Sequence, residues 1–290
     1  MNLTMKTLAP VISYTGNKYR HLDTILSSLP SDIGKFYDVF GGSGVVGHNV
    51  ATTGLASSVI YNEVDSNVWN MLFHALTSSF FELDVIEIDS RYPEDKSGYL
   101  KLREDFNNGV FDCHHKKYAA LFILHCRSFN NQIRFNKSGG FNLPYGDRNN
   151  IIPRLDAREL ATKGLKGKIL GWFSMGFDRL LERIMTNEDP QRTFIFCDPP
   201  YLAGVTSYQE TKKWSVYDEE MLLTQLNQLD SKGFKWMLTN TTWNRGKRNE
   251  ILIDWLDKNM YHVQELTCNH GNSSYYKSDK KTVEVLVMNY

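Results

Sequence analysis

Asp198-Pro199-Pro200-Tyr201 follows an apolar run, residues 193 to 197 (TFIFC), that reads as a strand. The carboxyl ends of strands are where open α/β sheets bind ligands. Two consecutive prolines stiffen the turn and remove its N–H groups, leaving carbonyl acceptors without competing amide donors. Such a turn suits an exocyclic amino group, whose two protons can go to the Asp198 carboxylate and the Pro199 carbonyl. In adenine the lone pair of that nitrogen is delocalised into the ring. Accepting both hydrogen bonds localises it, so that it can attack a sulfonium methyl in line. Tyr201 would stack on the base. A loop-capping carboxylate and a core tyrosine are the plain alternative for an isolated string of this kind.

Gly42, Gly44 and Gly47 fit GxGxxG directly after the strand-like run 35 to 40 (KFYDVF) and at the opening of a helical pattern over 43 to 53. Glycine there lets the chain turn tightly and lets a ligand approach the backbone. Glu63 ends the next strand-like run, 58 to 62, where a carboxylate can accept hydrogen bonds from both ribose hydroxyls of an adenosine-type ligand. The pattern points to a nucleoside-containing cofactor and leaves NAD, FAD and S-adenosylmethionine open.

The elements that must hold these groups follow from periodicity. Strands at 35–40, 58–62, 193–197 and 234–240 alternate with helical patterns at 43–53 and 218–230, which indicates a doubly wound, Rossmann-like α/β sheet. Strands at 261–268 and 282–288 are separated by a polar segment without helical pattern and read as an antiparallel pair at the sheet edge. Between about 70 and 185 the strand alternation stops. Residues 1–70 and 186–290 are therefore expected to form the catalytic domain, and 71–185 a mostly helical inserted subdomain carrying a hairpin or irregular loop at 129–148.

Of 290 residues 41% are hydrophobic and 23% charged, which excludes disorder. No apolar run is long enough to span a bilayer, and the opening residues lack a secretory pattern. The four cysteines form no CxxC pair, so neither a disulfide framework nor a metal site is expected. The expected compartment is a reducing cytoplasm, bacterial or that of a phage-infected host. Net charge is zero, but residues 112–150 carry +4 and 151–183 carry +3, leaving −7 for the remainder. A basic middle in an acidic chain suits a segment that faces a polyanion.

Tyr14-Thr15-Gly16-Asn17-Lys18, then Asp38-Val39-Phe40-Gly41-Gly42-Ser43-Gly44, then the basic insert, then Asp198-Pro199-Pro200-Tyr201 resemble, in that order, the Dam-type DNA adenine-N6 methyltransferases, notably their phage branch. The likeness runs from Tyr14 to the strand Val283-Glu284-Val285-Leu286 and fades around 80–98 and 149–170. It implies an adenine-specific enzyme that takes S-adenosylmethionine, flips its target base and acts on duplex DNA at a short site, with GATC favoured. It also implies that Tyr14, Gly16, Asn17, Lys18, Asp38, Phe40, Gly42, Ser43, Gly44, Glu63 and Asp198 surround S-adenosylmethionine, with Phe173, Ser174 and Phe177 near its adenine.

Residues 129–148 (FNNQIRFNKSGGFNLPYGDR) match the target-recognition hairpin of that family at Arg134, Asn136, Gly140, Phe141, Pro144, Tyr145, Gly146 and Arg148. The residue types fit independently: arginine can bond guanine O6 and N7 together, asparagine can bond adenine, and proline can meet a thymine methyl. Arg134, between apolar Ile133 and Phe135, is expected to point away from the subdomain core toward the ligand. Asn130, Asn131 and Gln132 are further candidates for DNA contact. Relatives insert a small or apolar side chain beside the flipped base near Asn130 and Gln132, where this chain has amides. Lys116, Lys117, Arg127 and Lys137 are expected as phosphate contacts or surface charge. His114 and His115 are expected at the surface, Cys197 on the face of its strand opposite the catalytic carboxylate, and Tyr208, Trp214 and Tyr217 in ordinary aromatic packing. A monomer is favoured. The rival readings are an NAD-dependent oxidoreductase, which the glycines and Glu63 would serve equally, and a non-catalytic DNA-binding relative.

Overall fold

The computed structural model describes residues 7–165, 167–203, 214–266 and 282–290. In chain order, α1 (Leu22–Ser28), β1 (Ile33–Asp38), α2 (Val45–Thr53), β2 (Ala56–Asn62) and α3 (Ser66–Thr77) are followed by α4 (Phe81–Asp89), α5 (Lys96–Asn107), α6 (His114–Arg127) and α7 (Ile151–Leu165). Then come β3 (Ile169–Phe173), α8 (Phe177–Asn187), β4 (Thr193–Cys197), α9 (Val216–Ser231), β5 (Lys235–Asn244), β6 (Lys247–Arg248), α10 (Glu250–Asn259), β7 (His262–Glu265) and β8 (Thr282–Met288).

The sheet order is β3-β2-β1-β4-β5-β8-β7, with β6 paired to β5 beyond this path. β3 to β5 are parallel, and β8 and β7 close the edge as an antiparallel pair, as the sequence pattern predicts. The strands are rich in aromatic and β-branched residues, whose alternation feeds two cores. Phe36, Phe194 and Phe196 stack on one face with Tyr61 and Met237, while Tyr37, Ile195, Cys197 and Trp236 fill the other. Cys197 thus lies on the face opposite its neighbour Phe196. Truncating Phe36, which is fully buried, to alanine would cost about 3–5 kcal/mol. Chain direction reverses between β1, which connects outward to β2, and β4, which connects outward to β5. That switch point lies at the carboxyl ends of β1 and β4, where open α/β sheets bind ligands.

The expected insert needs two corrections. β3 and α8 fall inside 71–185, yet β3 pairs in parallel with β2, and α8 packs beneath the sheet in the core shared with α9. A five-residue edge strand with a central glycine, Gly171, presents too little alternation to be read from sequence. Second, α4 to α7 share one continuous core with a sheet face: Phe81, Tyr99, Leu121, Phe122 and Leu155 join Phe36 and Phe194. Among the described residues, no helix is long and apolar enough to cross a membrane.

Candidate active site

The glycine turn after β1 is built for close approach. Gly44, at φ 70, is the N-cap of α2 and has no side chain to satisfy the helix amides. Asp38, at the end of β1, does so from outside, its Oδ2 accepting from the Gly47 amide at 3.1 Å. Glu63 closes the turn from the next strand, with Oε2 accepting from Gly42 N at 2.9 Å and Oε1 from Asp65 N at 2.8 Å. A Cβ on Gly41 would lie 2.2 Å from the Tyr61 ring, so only glycine lets the turn rest on that ring. The Tyr14 ring covers Gly42, where a Cβ would meet it at 3.0 Å. Burial pushes the Glu63 carboxyl up to about 7 against the pull of its two amide donors, and burial likewise pushes Asp38 up to about 7.

The segment before Tyr14 is held by the helical region. His125 is fully buried on α6, and burial pushes it down to about 3, so its neutral Nε2 accepts from Ser13 N at 3.0 Å. Arg154 on α7 donates to Pro10 O at 2.6 Å and to the Ser13 hydroxyl. Asn17 donates its side-chain amide to Tyr14 O at 2.9 Å, Gly16 takes φ 83, and the turn drops Lys18 into the interior.

Lys18, 3% exposed, lies 2.8 Å from Asp198 Oδ1 and 3.3 Å from Glu284 Oε1, and donates to Gly16 O at 2.6 Å. Asp198 Oδ1 also accepts from Thr239 Oγ1 at 2.6 Å and Tyr201 OH at 3.2 Å. Among the described residues, all of these contacts fall on Oδ1. Glu284 binds the Tyr201 hydroxyl and lies 3.4 Å from His21 Nε2. Burial opposes charge on Lys18, but the two carboxylates outweigh it and hold the ammonium above its usual range. Burial raises Asp198 against the pull of Lys18. It works the same way on Glu284, where His21, Lys18 and Tyr201 prevail and bring the carboxyl down to about 2.

Tyr201 is therefore held by its hydroxyl, with Lys18 Nζ 5.0 Å from its ring centre. Beside the turn, Phe40, Phe177 and Trp214 form an aromatic cluster with centroids 5.2–5.7 Å apart, and Trp214 is anchored on buried Glu219. Phe173 O accepts from Glu63 N at 3.1 Å, which brings Phe173 and exposed Ser174 to the same edge. The site thus combines a glycine turn closed by Glu63, a cluster of three aromatic rings, and carboxylates gathered around Lys18.

The family model for D12 class N6 adenine-specific DNA methyltransferases matches residues 14–268. The chain belongs to that family. It is 30% identical to the modification methylase StsI of Streptococcus sanguinis, over 99% of this chain and 44% of that protein. It is 28% identical to the type II methyltransferase M.MjaIII of Methanocaldococcus jannaschii, over 97% of this chain and 99% of the relative. It is 27% identical to the DNA N-6-adenine-methyltransferase of Escherichia phage P1, over 80% and 29%. The chain spans less than half the length of several of the relatives it matches.

The other sequence-predicted residues divide. Residues 128–146 form an irregular hairpin closed by the bridges Ser128–Tyr145 and Phe135–Phe141 and docked on α5 through Tyr99, Arg103 and Asn107. Asn130 and Pro144 are exposed on it and Arg148 is exposed just beyond it, while Gln132 and Tyr145 are half-buried, with Tyr145 OH donating to Glu94 O at 3.3 Å. Three residues expected to face DNA bond within the protein. Asn136 accepts from Ser138 N and Gly140 N and so makes the tip turn. Asn131 caps the end of α6, donating to Cys126 O at 2.8 Å, because a helix end must satisfy its last carbonyls. Arg134 points along the hairpin rather than away from it, its Nε donating to Asn142 Oδ1 at 2.8 Å. Arg127, expected as a phosphate contact, is 1% exposed and ion-paired to Asp89 at 2.7 Å. Lys116 lies 3.3 Å from Glu87, while Lys117 and Lys137 are exposed. His114 is exposed, but His115 is half-buried with Nδ1 2.7 Å from Asp84. Buried Ser43 completes the glycine turn. Tyr208 lies outside the described residues, and Tyr217 is 67% exposed rather than packed.

Sequence reasoning missed Glu284, Thr239, His21, His125 and Arg154. A lone acid in the apolar run TVEVLVM was the available signal for Glu284. The others carry none, because their partners are distant in sequence.

Proposed function

We propose that the protein methylates N6 of adenine at a short duplex DNA site, with GATC favoured, using S-adenosylmethionine. The observation that carries this is the meeting of Lys18, Asp198 and Glu284 beside the Gly42–Glu63 turn, which sets an amino-group acceptor next to a nucleoside cradle. The residues fit the cofactor. Glu63 retains lone pairs for ribose hydroxyls beyond its two amide bonds. Phe40, Phe177 and Trp214 offer a wall for an adenine, and raised carboxylates suit a sulfonium. When bound, S-adenosylmethionine supplies an electrophilic methyl on that sulfonium.

Asp198 Oδ2 and the Pro199 carbonyl accept the two N6 protons of the target adenine, which localises the nitrogen lone pair toward the methyl. With S-adenosylmethionine held there, the bond to N6 would form as the carbon–sulfur bond breaks with its electron pair on sulfur, and the part of Asp198 and Pro199 is to orient the nitrogen. Asp198 then takes the proton that methylated N6 must lose. Lys18 between two carboxylates leaves the group with net negative charge, matching the positive charge that develops on N6. Asp198 is only 17% exposed, so the base must leave the helix stack to reach it. The test is incubation with labelled S-adenosylmethionine and plasmid DNA, followed by mapping of modified adenines. Asp198→Ala should abolish transfer and keep duplex binding. Wild-type turnover in that variant, or NAD binding with no S-adenosylmethionine binding, would overturn the reading.

A further inference from the structure

β5 outruns its parallel neighbour. Leu238 is the last β5 residue paired with β4, opposite Cys197, and Thr239 reaches Asp198 at 2.6 Å. The strand continues five residues further and returns as β6, with Trp243 opposite Arg248 and Asn244 opposite Lys247. The hairpin between them presents Arg245, Lys247 and Arg248, all exposed, and no acid occurs from 242 to 249. Arg248 lies 3.4 Å from Glu250, both well exposed.

Arg245 and Gly246 both have positive φ, 49 and 86, the conformation of a two-residue turn that favours Asn-Gly. A β-hairpin of this kind gains nothing structurally from arginine at its first turn position, and such an outlier motivates a functional reading. The base is rigid: Asn244 donates to Ala203 O at 3.1 Å, accepts from Thr282 at 2.8 Å, and Asn249 N bonds Thr242 O at 3.0 Å. The basic tip is therefore fixed to the segment that follows the Asp-Pro-Pro-Tyr turn.

We propose that the Arg245–Arg248 hairpin is a second DNA contact, a clamp on backbone phosphates that acts with the 128–146 hairpin across the active-site crevice. The proposal rests on the duplex DNA reading above. The 128–146 segment leaves the end of α6 that touches Ser13, beside Tyr14 and Gly42. The β5–β6 hairpin leaves beyond Asp198. Six residues of strand from Thr239 to Arg245 reach about 20 Å. At about 3.4 Å per nucleotide of one strand, the clamp meets phosphates about six nucleotides from the target base. Its side chains recognise charge, so it adds affinity without sequence preference.

The test is equilibrium binding of labelled duplexes by the full chain over a salt series, for R245Q/K247Q/R248Q against wild type. The expected result is at least about tenfold weaker binding of preferred and scrambled duplexes alike, with a log–log salt slope shallower by about 2–3. R245K/K247R/R248K should bind like wild type. A duplex cut to about three base pairs beyond the target on the clamp side should erase the difference between wild type and the triple variant. An unchanged slope overturns the clamp, as does equal weakening when the same charge is removed at Lys163, Lys232 and Lys258. A wild-type protein that binds duplex but modifies no adenine would instead sink the methylation reading, leaving the clamp to be judged by its salt slope.

Discussion

Cofactor affinity should rise with pH through neutrality, and Glu63 sets the size of the effect. Its carboxyl is 6% exposed, and burial raises it to about 7, with Asp65 and the nearby acids Asp38 and Asp198 adding to the negative field of the crevice. In the free protein it is therefore about half protonated at neutral pH. Ribose hydroxyls donate hydrogen bonds best to the ionised form, and a sulfonium favours it further, so binding drives the proton off. The sign follows: a group raised in the free protein and lowered in the complex releases protons on binding, so affinity climbs up to its free value and levels above it. For one group at about 7, the ionised fraction grows about tenfold between pH 6 and pH 8, worth about 1.4 kcal/mol. Calorimetry with S-adenosylmethionine in buffers of different ionisation enthalpy measures the release directly, expected at about half a proton per group near pH 7. Glu63→Gln should weaken binding by about 1–3 kcal/mol at pH 8 through lost charge-assisted bonds, and far less at pH 6. A wild-type affinity flat from pH 6 to 8, or a Gln variant keeping the full pH dependence, would refute the assignment of Glu63 as the ribose carboxylate.

Three further outcomes follow from the buried network and the hairpin. Lys18→Ala leaves Asp198 and Glu284 together without their cation and should lower unfolding free energy in urea by about 3–5 kcal/mol; a loss below about 1 kcal/mol would mean the network is not coupled. Glu284 is depressed to about 2 in the fold, so its contribution is complete above the ordinary carboxylate range and lost as pH falls toward about 2. Melting temperatures of wild type and Glu284→Gln should accordingly converge in acid, and a constant gap would contradict this. Arg134→Ala should reduce methylation of the preferred site by about ten- to a hundredfold while sparing other sites, whereas Asn142→Ala, which removes only the acceptor holding the guanidinium, should do less; uniform loss in both would make Arg134 a hairpin strut rather than a base reader.

The Asp-Pro-Pro-Tyr turn, the glycine turn and the strand-end acid Glu63 were legible in the chain because each is a local device. Asp-Pro-Pro-Tyr after an apolar strand, glycines where φ must be positive, and an acid at a strand end are demands of backbone geometry within a few residues. The doubly wound sheet was legible for the same reason, since alternation within each strand shows which side chains face the cores. β3 was not legible, because a short edge strand is held by its neighbour β2 and not by its own pattern.

Tertiary structure decided which polar groups act on a ligand and which act on the protein. Asn136 and Asn131 have side chains suited to base edges, but donors and acceptors were available nearer at hand in the tip amides and the end of α6. Glu284, Thr239 and His21 carry no local motif. Glu284 reaches this group because β8 lies antiparallel beside β5, which brings it opposite Thr241 and two positions from Thr239, and Thr239 reaches Asp198 because β5 runs parallel beside β4. A strand order is fixed by burial across the whole sheet, so no window of sequence contains it. The sequence by itself determined the chemistry of the site, through residue type and local backbone, and packing between distant elements determined the charge environment in which that chemistry runs.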